Sequence, residues 1–371
     1  MDRRILVATR KGLFTVVRES DRWKVADAAF LGDNLSLVGY DPRTGAIYAS
    51  IHHGHFGVKL QRSEDGGATW REIATPAYPQ DIVESPPMID DFRKTAIPWS
   101  VQLIWAFEAG GRDEPGVIWL GTIPGGLFRS SDCGESWELN RPLLDRQREA
   151  KWTGGGYDFP GLHSICVDPR DSQCITVAIS TGGVWQTRDG GQSWCVASHG
   201  LRAEYMPPDQ AYNPLVQDAH AMVQCAANPD RLWIQHHNGV FRSVDQATSW
   251  QEITTVQPSV FGFAIAVHPH DAETAWTVPA VKDEKRYPVD GRVVVARTRN
   301  GGVSFETLTE GLPQGHAYDL TYRHGLAVDS TGEWLTFGST TGSLWVSEDQ
   351  GNRWQNVSTH LPPIHCVKFI E

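Results

Sequence analysis

The sequence predicts an all-β fold, a seven-bladed β-propeller, and three observations predict it. A turn of the form Ser/Thr-x-Asp-x-Gly-x-x-Trp recurs at a period of about 50 residues, which marks a repeat architecture. Short apolar runs surround every copy, as four strands per repeat require. The two ends of the chain each supply part of a single repeat, as a ring needs in order to close.

The turns come first. Thr187–Trp194, Ser63–Trp70, Ser130–Trp137 and Ser347–Trp354 fit the template. Ser243–Trp250 keeps Asp245 and Trp250 but has Ala247 where Gly is expected, and Thr298–Phe305 carries Asn300 and Phe305. An eroded copy ends at Trp23. Asp accepts hydrogen bonds from backbone N–H groups of its own turn, and Gly takes a positive φ without a Cβ clash. The aromatic returns into the sheet and packs between repeats. This is hairpin chemistry with a structural role. Trp23, Trp70, Trp137, Trp194, Trp250, Phe305 and Trp354 count seven blades in one domain over residues 1–371.

The strands follow from the apolar runs. Inner strands are expected at residues 35–42, 101–108, 163–169, 220–229, 261–269 and 322–329. Second strands are expected at 47–51, 118–122, 174–180, 232–235, 275–278 and 334–338. The chain opens on a second strand at 5–9, and an extra inner strand at 365–370 would pair with it.

Composition narrows the function classes. The 371 residues are 40% hydrophobic, with net charge −11 and a pI near 5.7. No basic cluster reaches the density that nucleic acid or an anionic membrane needs, so neither partner is expected. The chain passes from Met1-Asp2-Arg3-Arg4 into a strand with no apolar leader, so a cytoplasmic location is expected. Six scattered Cys with no Cys-x-x-Cys suit reduced thiols rather than a disulfide frame or a zinc knuckle.

Long connections at 77–99, 141–162, 199–219 and 280–290 all join strand ends opposite the Asp turns. Loops of this length are usually binding loops. Trp152, Tyr157 and Tyr205 lie in them and read as walls of a substrate pocket.

The 14 His concentrate at the same strand ends. His52, His53 and His55 end a second strand, as do His236 and His237; His163 and His220 open inner strands. His324 stands five residues before Asp329, as His163 stands before Asp168, and His316 and His365 lie near inner-strand starts. His268 and His270 map to the opposite side. Converging imidazoles can hold a transition metal, and three with an open position would activate a bound water. His53, His163, His220, His237 and His324 are the candidate ligands, for Zn, Mn or Fe, with no organic cofactor. The bland reading is that each His bonds strand-end backbone or a substrate hydroxyl. Charged groups on that side are Arg10, Lys11, Asp158, Asp218, Arg286, Asp319 and Arg323. Asp218, two residues from His220, could orient a ligand. Asp158 or Glu204 could serve as general acid or base. Asp158, Glu204, Asp218 and Arg323 are thus the catalytic candidates; Arg10, Lys11 and Arg286 join the three aromatics as substrate contacts.

The turns resemble Asp boxes, or BNR repeats, found in sialidases, sortilin-type receptors and the photosystem II stability/assembly factor. Nearly the whole chain resembles a bacterial family labelled WD40/YVTN/BNR-like repeat protein or sialidase-like glycosyl hydrolase. The matching segments are 8–14, 53–57, 160–164, 235–239 and 311–314. The resemblance implies the propeller fold; no sialidase catalytic residue is matched residue by residue. Three readings stand together. The first is a metal-dependent hydrolase or lyase acting on a small polar or glycan-derived substrate. The second is a metal-free, sialidase-like glycosidase using paired carboxylates. The third is a non-catalytic assembly propeller. The oligomeric state is open.

Overall fold

The computed structural model describes residues 3–90, 93–155 and 157–371. It contains seven four-stranded antiparallel sheets, the blades of a β-propeller. Chain contacts group into two compact units. One holds residues 1–38, 223–246 and 251–371, the other residues 39–222 and 247–250.

Blade 1 is Ile364–Ile370, Arg4–Thr9, Gly12–Glu19 and Arg22–Ala29, so the last strand of the chain pairs with the first. The register sets Ile5 opposite Phe369 and Val7 opposite Val367. Ile5, Leu6, Val7 and Ala8 are all buried, and Val367, Phe369 and Ile370 of the last strand are buried with them. The expected closure is therefore observed.

The other blades follow in chain order. Blade 2 is Leu35–Asp41, Ala46–His52, Val58–Ser63 and Arg71–Ile73. Blade 3 is Leu103–Ala109, Ile118–Ile123, Leu127–Ser130 and Glu138–Leu139. Blade 4 is Gly161–Asp168, Asp171–Ser180, Gly183–Thr187 and Cys195–Val196. Blade 5 is Ala219–Gln224, Leu232–His236, Gly239–Ser243 and Gln251–Ile253. Blade 6 is Gly262–Val267, Ala275–Pro279, Val295–Thr298 and Glu306–Leu308. Blade 7 is Leu326–Val328, Leu335–Gly338, Leu344–Ser347 and Gln355–Ser358. Its inner strand is shorter than the expected 322–329, because Gly325 bonds back to the Tyr322 carbonyl in a turn.

The turns hold together through their hydroxyls. Thr187 Oγ1 donates to Asp189 (2.7 Å) and accepts from the Gly191 N–H (2.9 Å). Asp189 accepts from the Ser193 N–H (2.9 Å) and Oγ (2.6 Å). Ser63 with Asp65 and Ser130 with Asp132 repeat the pattern. Asn300 stands in for Asp, accepting from Thr298 Oγ1 at 3.0 Å. Gly191 sits at φ 91, and Ala247 in the equivalent place is held at φ 61, in the left-handed region. Three of the tryptophans that close these turns reach the preceding blade, whereas Trp70 donates to the Gly67 carbonyl of its own turn. Trp137 donates to the Ala74 carbonyl, Trp194 to Asn140 Oδ1 and Trp250 to the Ala197 carbonyl, at 2.7–3.0 Å.

One element departs from the expected loops. Arg141–Ala150 is a helix inside the connection expected at 141–162. Asn140 caps it by accepting from the Leu143 N–H, and Pro142 stands in its first turn. Both signals are present in the sequence. The helix buries Leu143 and Leu144. No helix among the described residues is long and apolar enough to cross a membrane.

Removing the Thr187 hydroxyl without changing side-chain shape should leave the buried Gly191 N–H unsatisfied. Thr187→Val is expected to cost about 1–3 kcal/mol in urea unfolding, with Thr187→Ser close to wild type. The turn hydrogen bonds also hold Asp65, Asp132 and Asp189 at a pKa of about 2, led by the Thr69, Ser136 and Ser193 hydroxyls respectively. An unfolded Asp titrates near 3.9. The stability these carboxylates supply is complete above about pH 4 and is lost as pH falls towards about 2. Circular dichroism against pH should show acid unfolding in that window, and an Asp132→Asn/Asp189→Asn variant should show a shallower loss.

Candidate functional site

Asp218 and His220 flank the start of the inner strand Ala219–Gln224 in blade 5. Two residues apart in extended chain, they point to the same side. His237 follows the neighbouring strand Leu232–His236, so its antiparallel run ends where the inner strand begins. One ligand atom from each of Asp218, His220 and His237 lies within 4.8 Å of the others. This trio sits at one end of a single sheet, opposite the sheet's Asp turn. Asp218 and His220 are buried, at 6% and 3% exposure, and His237 is half-buried.

The end of blade 4 holds one oxygen of the Asp218 carboxylate. Its Oδ1 accepts from Ser180 Oγ and from the Thr181 N–H, both at 3.2 Å. Its Oδ2 lies 3.8 Å from His220 Nε2. The chain around it is tied down by the Gly183 N–H, which donates to the Gln217 carbonyl (2.9 Å), and by Tyr205 Oη, which donates to the Val216 carbonyl (2.6 Å). Two imidazoles and a carboxylate at this spacing suit Zn, Mn or Fe(II) and leave coordination positions open.

Two of the five candidate His, His220 and His237, belong to the trio, and Asp218 completes it. His53, His163 and His324 are not members. His53 precedes the short turn Gly54–Phe56 and its ring meets Phe56 edge-on at 6.5 Å. His163 is 1% exposed, with Nδ1 2.8 Å from Ser164 Oγ and its ring edge-on to Trp105 at 5.6 Å. His324 lies beside the closing strand, its carbonyl accepting from the Val367 N–H at 2.9 Å. His365 Nδ1 bonds the Leu35 carbonyl at 2.8 Å, and burial pushes its pKa down. His268, set on the other side, stacks on Trp276.

The remaining candidates fall into different settings. Trp152 is corrected from pocket wall to core: it is 1% exposed and packs with Trp185, at 5.8 Å, in the apolar cluster of Trp119, Leu143 and Ile175. An indole flanked by that many apolar side chains gains more from burial than from facing a ligand. Tyr157 is 49% exposed, its ring edge-on to Trp105, and Tyr205 is 43% exposed. Asp158 pairs with Arg93 (3.4 Å), and Glu204 pairs with Arg202 (3.4 Å); both carboxylates are exposed. Arg10 and Lys11 form the exposed turn after Arg4–Thr9. Arg286 pairs with Asp283 (2.5 Å) and lies over the Phe263 ring (5.3 Å). Arg323 is buried and lies 5.7 Å from the same ring. Asp319 accepts from Ser339 Oγ at 2.7 Å and from the Thr341 hydroxyl.

Ser180 and Thr181 are neighbours of Asp218 that sequence reasoning missed. Ser180 ends the second strand of blade 4 and Thr181 follows it, as His236 ends that of blade 5 and His237 follows it. That equivalence was the available signal.

Trp152 and Tyr157 separate core from surface. Trp152→Ala should cost about 3–5 kcal/mol in denaturant unfolding, whereas Tyr157→Ala should leave the unfolding midpoint close to wild type.

No family model matches the chain. It is similar, at 22% identity over 275 residues, to an oligoxyloglucan-reducing end-specific xyloglucanase of Emericella nidulans, covering 68% of this chain and 32% of that one. It is 23% identical over 351 residues to the photosystem II assembly lipoprotein Ycf48 of Synechococcus, covering 91% and 78%. It is 26% identical over 159 residues to a Bacteroides fragilis sialidase, covering 38% and 28%. Among solved structures, the GH74 xyloglucanase of Xanthomonas campestris superposes with a TM-score of 0.65 at 15% identity, over 94% of this chain and 52% of that one. The chain thus spans about a third of the length of the fungal enzyme. Its relatives include glycoside hydrolases and an assembly propeller, and the fold they share with it is the β-propeller.

Proposed function

We propose that the chain is a carbohydrate-directed hydrolase or lyase that holds a divalent transition metal on Asp218, His220 and His237. The observation that carries this reading is the trio itself. Two imidazoles and one carboxylate, two of the three buried, bring ligand atoms within 4.8 Å at one strand end. Three protein ligands leave room for water or substrate on the ion, and a bound metal would lower the pKa of that water towards neutrality. Tyr157 and Tyr205 stand half-exposed on the two loops that approach Asp218, and ring faces of this kind suit the apolar faces of sugars. Glycoside hydrolases among the relatives support a glycan-derived substrate.

The carboxylate-only reading is weaker. It needs two acids facing each other across a cleft, and the two loop candidates, Asp158 and Glu204, are each engaged by an arginine at 3.4 Å and open to water. A second reading, a propeller that binds a protein partner without catalysis, is favoured by the similarity to Ycf48, which runs along 91% of this chain.

Elemental mass spectrometry on untagged protein, after incubation with Zn, Mn or Fe(II) and desalting, decides between them. Near-stoichiometric metal that disappears in His220→Ala/His237→Ala and persists in His163→Ala is the expected result. Loss of hydrolysis of a β-glucan or xyloglucan oligosaccharide in the double variant should accompany it. A wild-type protein that takes up none of the three ions would overturn the metal reading.

A further inference from the structure

We infer that Ser180 is a positioning residue for Asp218: it fixes the carboxylate so that Oδ1 stays on the protein and Oδ2 alone faces the ion. The inference rests on the metal reading above. The two oxygens of Asp218 have different surroundings. Oδ1 takes the Ser180 hydroxyl and the Thr181 N–H, each at 3.2 Å, and Oδ2 is the oxygen turned towards His220 Nε2, at 3.8 Å. Ser180 is 1% exposed, so water does not compete for its hydroxyl. Backbone closes the Oδ1 side as well. A Cβ on Gly155 would lie 2.4 Å from Ser180 Oγ and 2.6 Å from Thr181 Oγ1, closer than a Cβ approaches other atoms, and 3.1 Å from Asp218 Oδ1, a tight contact.

Two consequences follow from this asymmetry. With Oδ1 occupied by two donors, Asp218 binds an ion through one oxygen, and the site keeps its open positions for water and substrate. A carboxylate oriented by hydrogen bonds before the ion arrives also loses less freedom on binding it. Partners that orient a ligand in this way are worth about 10- to 100-fold in metal affinity. Ser180 belongs to blade 4 and Asp218 to the segment entering blade 5, so the hydroxyl also carries the position of one blade to the ligand of the next.

The test is calorimetric titration of the metal-free protein with ZnCl2 and with MnCl2, beside the melting temperature of the metal-free form. Ser180→Ala should weaken zinc binding about 10- to 100-fold, and Ser180→Thr, which keeps the hydroxyl, should restore it. A purely structural serine would lower the metal-free melting temperature without changing the zinc Kd of the folded fraction. Should Ser180→Ala fail to fold, Ser180→Cys keeps the size and weakens the donor, and a drop in affinity in the same direction is expected. A wild-type protein that binds zinc alongside a Ser180→Ala (or Ser180→Cys) protein of equal Kd would overturn this inference and leave the metal site standing. Absence of binding in the wild type would remove both.

Discussion

The structure depends on a hydroxyl–carboxylate bond inside a turn. In Thr187–Trp194 the Thr187 oxygen both donates to Asp189 and accepts from the Gly191 N–H, and Asp189 takes the N–H and hydroxyl of Ser193. This rigid knot delivers Trp194 to the fourth strand at a fixed angle. From there its indole N–H reaches Asn140 in the preceding blade. The same connection made by Trp137 and Trp250 turns a local hairpin device into the stitching between successive sheets. Asn140 serves three elements at once, since it also caps the helix Arg141–Ala150 and donates to the Gly191 carbonyl.

With one end of each sheet committed to these turns, the other end is free to vary. The insertions that carry Tyr157, Glu204 and the helix Arg141–Ala150 all leave from that other end. So does the trio of Asp218, His220 and His237. An antiparallel sheet brings the start of one strand beside the end of its neighbour. Residues from positions 218–220 and 237 therefore meet without any sequence motif to join them. One architecture can therefore host hydrolases and an assembly factor alike, since a fold does not fix the site built on it. Fold likeness alone does not assign the chemistry.

Burial gives the candidate site its character. Asp218 at 6% and His220 at 3% exposure are costly to leave without compensating contacts. Ser180 and Thr181 compensate one carboxylate oxygen. By contrast Asp158 and Glu204 rest in water beside arginines, where a carboxylate needs no further partner. Placement, rather than residue type, separates the candidate ligand from the surface charge.

The sequence by itself determined the number of blades, the turn chemistry and the closure of Ile364–Ile370 on Arg4–Thr9. Each is written in local patterns: a template with Asp and Trp at fixed spacing, and short apolar runs at the two ends of the chain that together complete one repeat. The strand ends that carry the site were legible too, because His220 and His237 border recognisable strands. What only the tertiary structure decided was which of those ends meet. His163 and His324 occupy the same slot in their repeats as each other, yet neither joins the trio, since convergence depends on side-chain direction and strand stagger that no single repeat encodes. Trp152 was drawn into the core by contacts with Trp185 and its neighbours, which lie far away in sequence. Ser180 and Thr181 reach Asp218 across 38 and 37 positions, and only the packing of one blade's end against the segment entering the next sets that contact.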